Sequence, residues 1–115
     1  MIFPNQGDLI YIDAEPHAGR EEGGHNGNIR RLMVVLSNKG YNKSTGMVVG
    51  MMVTSKFKND QRLYLPISNN QPQIKGSIIT YQIPNFDYQA RHGKIIGQVS
   101  QDLLSELIFR AKNIF

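Results

Sequence analysis

Residues 31–54 read RLMVVLSNKGYNKSTGMVVGMMVT, and this stretch decides the fold class. Two runs within it, Arg31–Ser37 and Gly46–Thr54, are short, apolar and rich in valine, which suits buried strands. Between them, Asn38–Thr45 is polar and rich in turn-forming residues, and it reads as a turn. Toward the N-terminus, Gly7–Ala14 alternates. Leu9, Tyr11 and Asp13 fall on one side, and Asp8, Ile10 and Ile12 on the other, as in a strand. Glu15–Arg30 carries Pro16, Gly19, Gly23, Gly24, Asn26, Gly27 and Asn28, a composition that predicts a long loop. Loops of that length in a small domain are usually either functional or disordered.

Toward the C-terminus, Arg62–Ile67 reads as a third apolar strand and Asn69–Gly76 as a loop. Ser77–Gln82 and Lys94–Val99 read as further short strands. Ser100 then suits a helix N-cap, with Asp102 in the first turn where the helix dipole favours an anion. Leu103, Leu104, Leu107, Ile108, Ala111 and Ile114 form one apolar stripe, and Arg110 and Lys112 sit near the C-terminal end. Five or six short strands followed by one helix predict a mainly β protein: a small, twisted antiparallel barrel with the helix packed on it. No repeat, charge block or low-complexity tract divides residues 1–115, so a single domain is expected.

Composition narrows the function. The chain has no cysteine, which removes disulfides, thiolate zinc sites and thiol nucleophiles. Met1–Asp8 lacks the pattern of a signal peptide. The longest apolar run, Met47–Val53, is too short to span a membrane and is interrupted by Gly50. A soluble cytoplasmic protein with no membrane partner is the expectation. The net charge of +4 suits a polyanionic partner, although charge alone does not separate nucleic-acid binders from other basic proteins. The spacing of His17, His25 and His92 offers no metal constellation, so neither a metal nor another cofactor is expected. The glycine-rich loop lacks the Gly-Lys-Ser/Thr ending of a phosphate-binding P-loop. Met47, Met51 and Met52 read as core or dimer packing.

Several segments, taken in order, resemble the MazF/PemK toxin family. GDLIYID resembles its first strand, and AGREEGG its first loop. RLMVVLSNKGYNKSTG resembles its Arg-led second strand with the following Tyr-Asn and Thr-Gly. VGMMVTS resembles the strand ending in a hydroxyl pair, and YQIPNFDYQARHGKIIGQVSQDLLSEL the closing region. The resemblance covers nearly the whole chain. It implies an SH3-like barrel, a homodimer, cleavage of single-stranded RNA, and silencing by a cognate antitoxin protein. There are departures. Four or five extra residues lie around Asn26–Arg30, Leu32 replaces a family proline, and Tyr81 stands where some members carry an acidic residue.

RNA is cut without a metal when its own 2′-OH attacks the neighbouring phosphorus, leaving a 2′,3′-cyclic phosphate and a 5′-OH. The protein must then accept a proton, donate one, and stabilise the anionic phosphorane. By resemblance, Arg31 is the catalytic arginine. A guanidinium is planar, always charged and rich in donors. Its neighbour Arg30 points to the opposite strand face, so one of the two reaches the phosphorus. Thr54 and Ser55 match the hydroxyl pair, Glu21 a family glutamate, and His25 a position where some members carry histidine, the side chain best suited to proton transfer near neutral pH. Arg20, Arg30, Tyr81, Gln82 and Arg91 are the expected RNA contacts, through phosphate, base edge or stacking. Each has a plainer alternative: exposed cation, turn cap or ordinary strand packing. Phe86 is assigned to packing. Two other readings stand beside the nuclease. One is a barrel that binds RNA or peptide without cutting, motivated by Tyr81. The other is a gyrase-poisoning toxin of the same fold.

Overall fold

The computed structural model describes residues 1–14, 29–67 and 73–115. Seven strands and two helices follow in the order β1 (Asp8–Ala14), β2 (Ile29–Val35), α1 (Lys39–Thr45), β3 (Met47–Thr54), β4 (Tyr64–Pro66), β5 (Ser77–Ile79), β6 (Asn85–Asp87), β7 (Lys94–Gln98) and α2 (Gln101–Lys112). The sheet runs β4-β5-β3-β2-β1-β7, and β6 also pairs with β3. Every pairing is antiparallel. The expected mainly β architecture with a C-terminal helix is what the chain adopts.

Strand alternation sorts the apolar residues into two clusters. Leu9, Val34, Met51, Val53 and Ile78 lie on one face, against Leu104 and Leu107 of α2. Burying each of these helix leucines contributes about 1.5–3 kcal/mol. Ile10, Ile12, Met33, Val35 and Val48 lie on the other face, under Tyr88 with Phe3, Phe86 and Ile95 around them. Helix α2 starts as the sequence predicts: the Ser100 hydroxyl accepts a hydrogen bond from the Leu103 N–H at 3.1 Å. Gly50 is required where β2 and β3 pair, because a Cβ there would collide with the Val34 carbonyl oxygen.

Several expectations need correction. Asn38–Thr45 is not a turn. Asn38 caps α1 by accepting from the Tyr41 N–H at 2.8 Å, and Gly46 closes it at φ 76°. The buried Asn42 donates to the Pro4 carbonyl at 2.9 Å and accepts from the Ser37 hydroxyl. The helix is held by caps and a buried amide, so it carries no apolar stripe. The second strand begins at Ile29, inside the segment expected to be loop, because Ile29 and Arg30 pair with Ala14 and Asp13. The strand β6, just after Pro84, was not anticipated. The third and fourth expected strands are also shorter than predicted, at three residues each.

Candidate functional site

The longest strand, β3, changes partner part-way along. Its first half pairs with β6, at Met47–Val49, and its end pairs with β5, at Val53 and Thr54. Residues 80–84 bridge the interval, and the Gly50 N–H donates to the Pro84 carbonyl at 3.2 Å. The gap between the two partners leaves a hollow of about 580 Å³, lined by Ala14, Arg31, Met52, Ile79, Gln82, Ile83, Pro84 and Phe86. Arg31 enters from β2, where it pairs with Ile12 in the β1 ladder. Its side chain makes no hydrogen bond or ion pair among the described residues. A mostly apolar hollow with one uncommitted guanidinium and one amide suits a base or sugar beside an anion.

A second hollow, of about 250 Å³, lies across the end of β2. Tyr11, Arg30, Arg31, Leu32, Val53, Ser55 and Lys75 line it. Arg31 therefore borders both hollows. The hydroxyl pair divides between the faces. One step beyond the Leu32–Val53 pair, the register sets Thr54 opposite Arg31, on the face of the larger hollow. The Thr54 hydroxyl accepts from the Lys56 N–H at 3.3 Å, and Thr54 does not line that hollow. Ser55 lines the smaller one.

Arg30 is engaged elsewhere. Its Nη1 donates to Asp13 Oδ1 at 2.7 Å and to the His92 carbonyl at 2.9 Å, and its guanidinium lies 6.0 Å from the Tyr11 ring centre. Asp13 is 8% exposed, and its Oδ2 lies 2.7 Å from His92 Nδ1. The Asp13 carbonyl accepts from Arg91 Nη1 at 3.0 Å, and the Asp13 N–H donates to the Arg91 carbonyl at 2.9 Å. The Arg91 guanidinium sits 4.6 Å from the centre of the Phe86 ring. Asp13 thus ties the β6–β7 turn to the mouth of β1 and β2, and through Arg91 it braces one wall of the larger hollow. His92 holds φ 54° in that turn, a conformation the surrounding bonds enforce.

Tyr81 does not join the Arg31 hollow. Its hydroxyl meets that of Tyr64 at 3.2 Å, and the two rings pack edge to face with centres 5.7 Å apart. The hydrogen bond with Tyr64 holds the Tyr81 phenol above its ordinary pKa. Its surroundings are Arg62, Thr80 and Arg110. Of the expected residues, Arg31 and Gln82 share one hollow, and Ser55, Arg30 and Arg31 share the other. Arg91 supports from behind, and Tyr81 stands apart. Arg20, Glu21 and His25 lie outside the described residues. Reading the sequence alone missed Asp13, His92, Tyr11 and Lys75. An aspartate on the buried side of an apolar strand was the available signal, since such a group requires a partner.

A family model described as a PemK-like, MazF-like toxin of type II toxin–antitoxin systems matches residues 5–115. The chain belongs to this toxin family. Among individual relatives, the endoribonuclease toxin MazF of Escherichia coli K12 is 42% identical over 55 residues, which are 48% of this chain and 45% of that toxin. The match therefore spans about half the length of that relative. The endoribonuclease toxin ChpB of the same strain is 23% identical over 111 residues, 95% of this chain and 91% of that one. In fold, the chain is similar to the crystal structure of MazF from Deinococcus radiodurans. The TM-score is 0.80 at 24% identity, covering 99% of this chain and 97% of that one. A mycobacterial endoribonuclease solved with its cognate antitoxin gives a TM-score of 0.70 at 16% identity, covering 98% and 93%. No helix of the described residues is long and apolar enough to cross a membrane.

Proposed function

We propose that this chain is an endoribonuclease toxin that cuts single-stranded mRNA by attack of the substrate's own 2′-OH, giving 2′,3′-cyclic phosphate and 5′-OH ends. The observation that carries the reading is Arg31, a guanidinium with no hydrogen bond or ion pair among the described residues, placed between two hollows at the mouth of the sheet. In this reading Arg31 stabilises the phosphorane, and Gln82 contacts a base edge from the same hollow. The Thr54 hydroxyl, on the Arg31 face, holds a non-bridging oxygen. Glu21 and His25 are the proposed proton carriers, and Arg20 a phosphate contact. Because the nucleophile is internal to the RNA, no metal is needed to generate it. Relatives named endoribonuclease toxins support the activity.

We further propose that residues 1–115 act as one domain in a cytoplasmic homodimer that a cognate antitoxin protein silences. The exposed Phe57, Phe109 and Phe115 are available for such contacts. The test is end chemistry on a long single-stranded RNA incubated with purified protein in chelator, beside Arg31→Ala. Discrete cuts with cyclic phosphate ends, absent from the variant, support the reading. Saturable RNA binding without cuts would replace it with the non-catalytic barrel, the reading motivated by Tyr81 at a position where some family members carry an acidic residue.

A further inference from the structure

We propose that Arg91 is a positioning residue: it contacts no RNA itself and, by joining the end of β1 to the Phe86 ring, fixes the width of the larger hollow and so which base that hollow admits. This role rests on the RNA-cleaving reading and deepens it, from where a base sits to what selects it. It takes the place of the RNA contact expected of this arginine from the sequence.

The Arg91 side chain is committed in two directions. Its Nη1 donates to the Asp13 carbonyl at 3.0 Å, and that carbonyl belongs to the peptide leading into Ala14. The guanidinium centre lies 4.6 Å from the centre of the Phe86 ring, within cation–π range. Ala14 and Phe86 both line the larger hollow, and Arg91 is not among its lining residues. Ala14 ends β1 and Phe86 lies in β6, two strands that do not pair, so the sheet connects them only by way of β2 and β3. Arg91 is the direct tie between the two walls. A half-buried group engaged from behind the hollow is poorly placed for a phosphate.

The turn that carries Arg91 is itself fixed. Its N–H donates to the Asp87 carbonyl at 3.1 Å, and its carbonyl accepts from the Asp13 N–H at 2.9 Å. The next residue, His92, donates from its N–H to the Gln89 carbonyl at 3.0 Å and sets Nδ1 2.7 Å from Asp13 Oδ2. Anchored in this way, Arg91 limits how far the Phe86 ring can yield. Ile79, Ile83 and Pro84 make much of the remaining lining apolar, so discrimination there depends on shape beside the one amide of Gln82. A lysine in place of Arg91 would serve a phosphate as a point charge, but it lacks the planar fork that bonds a carbonyl while lying over a ring.

The test compares Arg91→Met, Arg91→Lys and Phe86→Leu with the parent, each confirmed as folded by its melting transition. Binding is measured on fully 2′-O-methylated single-stranded RNAs, which cannot be cut, with the four bases scanned through each position and across a salt series. Arg91→Met should keep the parent's salt slope, while the preference between the best and second-best base falls about tenfold. Arg91→Lys should lose that preference as well. Phe86→Leu should lose it to the same degree, and the double variant should lose no more. If Arg91→Met does not fold, Arg91→Lys and Phe86→Leu decide the matter by the same readings. A salt slope lowered by about 0.7 in Arg91→Met, with base preference kept and Arg91→Lys matching the parent, would make Arg91 a phosphate contact and overturn the proposal. Additive losses from Arg91→Met and Phe86→Leu would overturn it too. If the parent binds with a base preference but never cuts, the nuclease reading falls and the positioning role stands or falls on the variants. If the parent cuts RNA yet shows no base preference, the nuclease stands and the positioning role is overturned.

Discussion

Arg30 and Arg31 are neighbours in β2, yet they serve opposite ends of one design. Arg30 lies in a closed network. Asp13 accepts its Nη1, His92 shares the carboxylate, and Arg91 bonds the Asp13 backbone. Arg31 borders two hollows and has no intramolecular partner among the described residues. A charge that is already satisfied contributes to architecture. A charge left unsatisfied beside a concave surface is available to a ligand. Both border the smaller hollow, and strand alternation sets Arg31 alone on the larger one.

The largest expected effect tests the uncommitted side. Arg31→Ala should lower RNA cleavage at least about 100-fold with little change in melting temperature, because the proposed transition-state donor is lost and no side-chain hydrogen bond or ion pair among the described residues is broken. Equal loss in a folded Arg30→Ala would break the distinction. Next comes the anchored side. Asp13→Ala should cost about 2–3 kcal/mol in chemical unfolding, less than a fully buried pair because its two side-chain partners Arg30 and His92 are partly exposed. Its effect on cleavage should be smaller than that of Arg31→Ala. A stable Asp13→Ala with no activity would instead place the network in the chemistry.

The third expectation concerns the turn that carries Arg91 and His92. Tyr88 is buried beneath it, its carbonyl accepts from the Gly93 N–H at 2.8 Å, and a Cβ at Gly93 would strike its ring. Burial, with a lesser contribution from the Asp8 charge, raises the Tyr88 phenol above its ordinary pKa. The folded state therefore favours the neutral phenol. The associated stability is complete below about pH 10 and is lost as pH rises through the folded-state value. Thermal melts should show a steeper alkaline decline for the parent than for Tyr88→Phe. The smallest effect sharpens the comparison from outside. The Asp60–Arg62 pair, at 3.1 Å, has the chemistry of Asp13–Arg30 but projects into solvent. Its hydrogen bond with Arg62 lowers the Asp60 pKa, yet Asp60→Asn should leave the melting temperature unchanged, since water screens the pair.

The amino-acid sequence by itself determined β1, the two apolar strands β2 and β3, and the start of α2. Each of these is written in local periodicity or in a cap, and the same alternation separated Arg30 from Arg31. The order of weak motifs pointed to the toxin family, and two residues the resemblance singled out, Arg31 and Gln82, line one hollow. Only the tertiary structure decided the rest. Helix α1 was hidden because its stabilising group, Asn42, is polar and finds its partner at Pro4, 38 positions away. The Asp13–His92 contact joins residues 79 positions apart, beyond the reach of any local pattern. The larger hollow exists because β3 changes partner between β6 and β5. The smaller one exists because Gly76 lets Lys75 approach Ser55. Periodicity encodes which face a side chain takes, whereas a cavity arises from which distant segments meet there, and that is settled only when the sheet assembles.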